Sequence, residues 1–360
     1  MPVNDDAPLR SLMLPFASGA LAWPEDGALF LHAQDGAPLR QLPTPGLVVE
    51  QGYKPEADAL HAAGYASGEE NDTQRHPLVL LLPPRQREAM RALFARAFER
   101  CRDGGMVVAS VANDAGAKSA ERDFRALAGA GSGLSKHHCR VFWARKEAAT
   151  LDAALLAQWR GLDAPRRIAA PQLPGGGFLS RPGVFAWDRI DPASALLAAH
   201  LPSGSGSGAG QGLQGAAADL GGGWGYLSIE LLRRNPGIRA LDLYEADARA
   251  LELARANLAA AGTDAALDFL WHDVAAGLPR RYDVIVTNPP FHAQDRADRP
   301  ELGQRFIAVA AQALRPGGRL YLVANRHLPY EDALRAHFGA VRVLAQQGGF
   351  KAVEAVRSAR

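Results

Sequence analysis

The segment "GAAADLGGGWGYLSIELLRR" (Gly215–Arg234) decides the fold. A small, apolar run ends on Asp219 and Leu220, a glycine cluster follows, and "YLSIELLRR" then places its apolar residues at helical spacing. A strand that turns through glycines directly into a helix opens a βα unit. Glycine at such a turn takes backbone angles closed to other residues and lets a ligand approach the main chain.

Downstream, strand-like and helix-like patterns alternate. "IRALDLYEA" reads as a strand and "DARALELARANLAAAG" as a helix closed by glycine. "ALDFLWHDV" and "YDVIVTN" are further strands, and "LGQRFIAVAAQALRPGG" is a helix with a Pro-Gly stop. "RLYLVAN" is a strand, a short helix lies near "YEDALRAHF", and "VRVLAQQGGFKAVEAV" reads as a hairpin with a glycine turn. Repeated βα units predict a mostly parallel sheet with helices on both faces, and the hairpin adds an antiparallel edge. Ahead of the glycine cluster, "DPASALLAAHL" reads as a helix of the same domain. The Gly/Ser tract at 203–215 is therefore a loop insertion inside that domain. The boundary falls in the Pro/Gly/Arg-rich stretch "GLDAPRRIAAPQLPGGG", giving domains 1–162 and 163–360.

The first half carries an echo. "LVLLLPPRQREAMRALFARAFERCRDGGMVVASVAND", from Leu78, runs strand, Pro-Pro, helix, Gly-Gly, strand, Ala-Asn. The stretch from "DVIVTNPPFH" to "ALRPGGRLYLVANRH" has the same order, which implies a duplicated domain. Leu82 stands where Asn288 stands, and the first half has no glycine-rich strand-to-helix turn. The expected fold class is thus α/β, two tandem Rossmann-like domains, the first having kept the fold and lost the site.

Composition sets outer bounds. The 360 residues are 48% hydrophobic, ample for two cores, and the net charge of +2 neither requires nor excludes a nucleic-acid partner. Arginine supplies most of the positive charge, which suits phosphate forks but also reflects genomic composition. Cys101 and Cys139 do not make a disulfide scaffold, and "KHHCR" (Lys136–Arg140) lacks zinc spacing, so no metal is expected. The acidic start "MPVNDDAPLR" has the wrong order for a signal peptide, and no run is long enough to span a membrane. A cytoplasmic, soluble chain is the expectation, as a monomer by default.

The chemistry-bearing residues end successive strands. "DLGGGWG" (Asp219–Gly225) has the register acidic-x-G-x-G-x-G rather than that of a pyrophosphate loop. An acid there repels phosphate and suits an ammonium group, such as that of the methionine part of S-adenosylmethionine. Glu245 ends the second strand, where a carboxylate can accept both ribose hydroxyls of NAD or of S-adenosylmethionine alike. Asp273, in "WHDV", ends the third strand, within reach of an adenine edge. The plain alternative for each acid is a helix N-cap or a solvated strand end. Three acids in order at one sheet edge argue for a ligand. After the fourth strand, "NPPF" (Asn288, Pro289, Pro290, Phe291) holds a rigid turn, because neither proline can donate and each has a fixed φ. The Asn288 side chain and the Pro289 carbonyl can then accept from one planar NH2 group, and Phe291 offers a face for a flipped-out base.

In this order "DLGGGWG", "LYEAD", "HDV" and "NPPF" resemble a class I S-adenosylmethionine-dependent methyltransferase of the amino-methylating type. "TNPPFH", "LRPGGRLYLVANRHLPYE", "FGAVRVLAQQGGFKAVEAVR" and "PGVFAWDRIDPASALLAAHLP" resemble the bacterial ribosomal RNA guanine-N2 methyltransferases of the RsmC/RlmG type. "KSAERDFRAL" and "SKHHCRVFWARK" resemble the N-terminal domain of that family, a duplicate without a cofactor site. The resemblance implies that Asp219, Gly221, Gly222 and Gly223 form the methionine-side loop. It implies Glu245 and Ala246 at the ribose, Asp273 and Val274 at the adenine, Asn288 at both the cofactor and the target amine, and Pro289 and Phe291 at the target amine. His292 would have a structural or positioning role, with RNA contact or proton release as the alternative, and Trp224 occupies a variable place in the glycine turn. The implied cofactor is S-adenosylmethionine. The implied partner is ribosomal RNA or an assembled subunit, small rather than large. Glutamine amide or adenine N6 as the amine, and an RNA-binding protein with a relic site, are the competing readings.

Overall fold

The computed structural model describes residues 7–68, 73–204, 212–290 and 300–358. The chain divides into two compact units, Met1–Ala164 and Pro165–Arg360. In the first, strands β1 (Ala28–Leu31), β2 (Leu47–Glu50), β3 (Ala66–Ser67), β4 (His76–Leu81), β5 (Cys101–Ala112), β6 (Ser132–Lys136) and β7 (Cys139–Arg145) form one sheet. Its order is β3-β2-β1-β4-β5-β7-β6, parallel as far as β5 and antiparallel at the β7–β6 edge.

The second unit begins with a ribbon of β8 (Arg166–Ala169) and β9 (Gly177–Ser180). Its sheet comprises β10 (Gln214–Leu220), β11 (Gly237–Glu245), β12 (Ala266–Trp271), β13 (Tyr282–Thr287), β14 (Leu314–Asn325), β15 (Ala340–Gln347) and β16 (Phe350–Val356). The order β12-β11-β10-β13-β14-β16-β15 repeats that of the first unit strand for strand. The duplication expected from the sequence is present, and the antiparallel edge hairpin belongs to both units rather than to the second alone.

Alternation along each strand explains why both faces are covered. Leu243, Val284, Val286, Tyr321 and Val323 pack in one apolar layer with Leu197, Leu231 and Ala254. Their sequence neighbours Tyr244, Ile285, Leu320 and Leu322 enter the opposite layer with Phe306 and Ile307. Adjacent residues of a strand face opposite ways, so strands apolar at nearly every position need helices on both sides.

Two local readings change. The strand after helix Pro300–Ala313 begins at Leu314, so "RPGG" lies within β14 as a bulge, with Gly317 at φ 76° and a register shift against β13. The boundary stretch is not bare linker. It contains β8, and directly after it Phe178 of β9 stacks on Trp224, ring centroids 3.8 Å apart and planes 7° from parallel. Asn257 of helix Ala248–Ala261 bridges the same two segments. Its Oδ1 accepts from the Leu179 N–H at 2.6 Å, and its Nδ2 donates to the Leu179 and Trp224 carbonyls, each at 2.9 Å. Trp224 is thus a buried anchor behind the glycine turn.

Residues 205–211 of the Gly/Ser insertion lie outside the described residues. Its flanks are held at the amino-terminal end of β10. The Gly204 N–H donates to the Arg234 carbonyl at 3.1 Å, and the Leu213 N–H to Asn235 Oδ1 at 2.7 Å.

Candidate active site

β10 has β11 on one side and β13 on the other, so connections leave it in both directions and open a crevice at the carboxyl ends of the strands. Parallel pairing sets Leu220 opposite both Tyr244 and Thr287. Gly221, Glu245 and Asn288 therefore each lie one residue beyond paired strand positions. Glu245 in turn pairs with Trp271, two residues before Asp273. The Thr287 hydroxyl donates to the Leu220 carbonyl at 2.8 Å and fastens the start of the proline turn to the start of the glycine turn.

The glycine turn is built as its sequence requires. Gly221, Gly223 and Gly225 have φ of 70°, 55° and 96°, where a side chain would be strained. A Cβ on Gly222 would lie 2.5 Å from the Leu243 side chain, whereas at Gly223 nothing stands within 4 Å of that position. The turn is packed hard on one side and open on the other.

Asp219 is fully buried. Its Oδ2 accepts from the Ser228 hydroxyl at 2.7 Å, while Oδ1 has no hydrogen-bond partner among the described residues. Burial pushes its carboxyl up to about 7; the Ser228 bond opposes this and the nearby Glu245 charge adds to it. A buried carboxylate with an open oxygen is costly unless a cationic or donor group completes it. Glu245 spans the turn. Its Oε2 accepts from the Gly223 N–H and its Oε1 from the Asp247 N–H, each at 2.8 Å. Desolvation raises its pKa, and these backbone donors pull it back.

Asp273 caps the short 3-10 turn Val274–Ala276, its Oδ1 accepting from the Ala275 N–H at 2.8 Å. The plain N-cap reading therefore holds for this acid, which lies two residues beyond the end of the third strand at Trp271 rather than ending it. Val274 is buried, and Ala246 accepts at its carbonyl from the Trp271 indole N–H at 2.8 Å. On the far side, Pro289 is buried, Pro290 is exposed and Asn288 is half-buried. Phe291 and His292 lie outside the described residues.

Two site residues were missed by sequence reasoning. Asn288 Nδ2 donates to Asp191 Oδ2 at 3.0 Å and to the Ser194 hydroxyl at 2.9 Å, while Asn288 Oδ1 is buried without a partner among the described residues. Asp191 is the N-cap of helix Pro192–His200, its Oδ2 also accepting from the Ser194 N–H at 2.8 Å. The signal was available as "DPAS", an N-cap acid with proline at the first helical position, but it read only as a helix start.

The equivalent edge of the first unit differs at two positions. Leu82 follows β4 where Asn288 follows β13. Glu50 ends β2 as Glu245 ends β11, but it is tied to Arg100 at 2.7 Å and also to Arg96.

Residues 175–354 match the family model of the methyltransferase small domain. The chain is 37% identical over 224 residues to ribosomal RNA small subunit methyltransferase C of Pseudomonas aeruginosa, covering 62% of each chain. It is 32% identical over 244 residues to the Escherichia coli protein of that name, covering 68% of this chain and 65% of that one. These alignments span less than two thirds of either relative. Among solved structures, the T. thermophilus 16S rRNA N2 methyltransferase RsmC in complex with AdoMet and guanosine superposes with a TM-score of 0.77. The identity is 25%, with 97% of this chain and 92% of that one covered.

Proposed function

This chain belongs to the methyltransferase small domain family, and on that premise we propose that its second unit methylates the exocyclic N2 amine of a guanine in small-subunit ribosomal RNA. The observation that carries this reading is the pair of buried oxygens without partners among the described residues, Asp219 Oδ1 near the end of β10 and Asn288 Oδ1 just past the end of β13, the strand paired with it. An acidic oxygen suits the ammonium end of S-adenosylmethionine, and an amide oxygen suits an incoming amine. Bound S-adenosylmethionine supplies a methyl group on sulfonium sulfur, whose carbon–sulfur electron pair returns to sulfur as the N2 lone pair forms the new N–C bond.

The protein's work is alignment and charge acceptance. Asp219 and the glycine turn hold the methionine end, Glu245 the ribose, and Asp273 with Val274 the adenine. Asn288 Oδ1 and the Pro289 carbonyl accept the two amine hydrogens, which aims the nitrogen lone pair and steadies the positive charge that grows on N2. The proton shed by N2 passes to water. Phe291 enters through its motif alone, as the face on which the guanine stacks. The first unit, with Leu82 and an ion-paired Glu50, holds or presents RNA without binding the cofactor.

Among the described residues there is no cluster of three side chains able to hold a metal ion, and no helix is long and apolar enough to cross a membrane. The test gives the purified protein methyl-labelled S-adenosylmethionine and, separately, small and large ribosomal subunits lacking guanine-N2 methylation. N2-methylguanosine from the small subunit alone is the expected product. Label in the large subunit, or in neither while the cofactor still binds, refutes the assignment.

A further inference from the structure

We propose that Asp191 and Ser194 are positioning residues that lock the Asn288 amide in one orientation, with its oxygen committed to the substrate amine. The inference rests on the amine-methylating reading above but concerns a different part of the machinery. Amide oxygen and nitrogen are alike in shape, so an asparagine at such a site can present either one. Here the choice is forced. A carboxylate can only accept, and the group 3.0 Å from Asp191 Oδ2 must therefore be the Asn288 NH2. The Ser194 hydroxyl accepts from the same nitrogen at 2.9 Å. Turning the amide over would set Oδ1 against the Asp191 carboxylate, and it would offer an NH2 donor to an incoming NH2 donor.

The same contacts do more than orient. Donation from an amide NH2 to a carboxylate polarises the amide and places more electron density on its oxygen. That oxygen is buried and has no other partner among the described residues, so the added density is available to the substrate nitrogen as positive charge develops there. The placement is rigid, because Asp191 and Ser194 cap one helix through the 2.8 Å bond from the Ser194 N–H, and Ser194 is itself buried. Positioning side chains held in this way by structure around them is what keeps a reacting group in register.

Asp191 has two jobs, capping and clamping, and the variants must separate them. Asp191→Ser keeps a good N-cap but removes the carboxylate from Asn288. Asp191→Asn keeps the cap and an acceptor oxygen, without the charge. Ser194→Ala removes only the second acceptor. Expected for Asp191→Ser is a kcat lower by about 10- to 100-fold, with KM for the RNA, cofactor affinity and thermal midpoint close to wild type. Asp191→Asn should recover most of that loss, and Ser194→Ala should fall between.

A second readout needs no turnover. In protein labelled with 15N-asparagine, the Asn288 side-chain NH2 protons should exchange with solvent slowly in wild type and faster in Asp191→Ser and Ser194→Ala. Unchanged kcat in Asp191→Ser, or equal exchange in wild type and both variants, overturns the clamp. If wild type forms no N2-methylguanosine, the functional reading fails, and the exchange comparison still decides the clamp.

Discussion

Glu245 Oε2 accepts the Gly223 backbone N–H at 2.8 Å, so the acid that ends β11 also holds the glycine turn that ends β10. Its other oxygen holds the Asp247 N–H. Glu245→Ala should thus weaken S-adenosylmethionine binding twice, by losing a ribose acceptor and by loosening the loop. Hydrogen bonds to a charged group contribute about 1.5–3 kcal/mol each, which corresponds to roughly 10- to 100-fold in affinity. Glu245→Gln keeps one acceptor oxygen but must turn its NH2 toward a backbone donor, and should fall between. Calorimetric titration with S-adenosylmethionine checks the order; equal affinities in all three proteins would contradict it.

Asp219 should make S-adenosylmethionine binding depend on pH. Its folded carboxyl is raised by burial to about 7 from an ordinary 3.8, so between these values the folded chain holds a proton that the unfolded chain has released. The stability contribution of this group is full below about pH 4 and is lost as pH rises through 7. An ammonium group favours the ionised carboxylate, so binding below pH 7 must expel the proton. Affinity for S-adenosylmethionine should rise from pH 6 to pH 8 by up to about tenfold per unit below the pKa. Asp219→Asn should bind weakly, with this pH dependence removed. Titrations at three pH values decide the matter.

The Phe178–Trp224 stack ties the ribbon Arg166–Ser180 to the back of the glycine turn. Trp224→Ala deletes a nearly fully buried aromatic and should cost about 3–5 kcal/mol of unfolding free energy. Trp224→Phe keeps a ring in the stack and should cost less than half as much. Denaturant midpoints measure both. A loss under 1 kcal/mol in the alanine variant would mean that the ribbon is not anchored here.

Cofactor stoichiometry tests the asymmetry of the duplication. Glu50 is held by Arg96 and Arg100, and Leu82 stands where the second unit has Asn288, so these two positions of the first unit present neither a free acid nor an amide oxygen. One equivalent of S-adenosylmethionine should bind per chain. A second equivalent of comparable affinity would show that the first unit retains a site.

Much of this arrangement was legible in the sequence, and the parts that were not share a cause. The βα order of the second unit is readable because β11 and β13 are long, apolar strands and the helices between them carry clear stop signals. The three acids and Asn288 could be placed because each lies within two residues of the end of such a strand. The short strands β1, β2 and β3, of four, four and two residues, escaped notice because periodicity needs length to stand out. So did the ribbon β8–β9, whose four-residue strands sit among Pro and Gly and are held by distant residues, Trp224 and Asn257. Asp191 and Ser194 were read only as a helix start, since their contact with Asn288 spans more than ninety residues and leaves no local trace.

The most direct test of the central claim compares wild type with Asn288→Ala on small ribosomal subunits lacking guanine-N2 methylation. N2-methylguanosine formation and S-adenosylmethionine affinity are measured on the same preparations. The account predicts that product formation falls by at least about 100-fold while cofactor affinity changes by less than about threefold, because the Asn288 oxygen serves the amine rather than the cofactor. Wild-type rates of N2-methylguanosine formation in Asn288→Ala would contradict it.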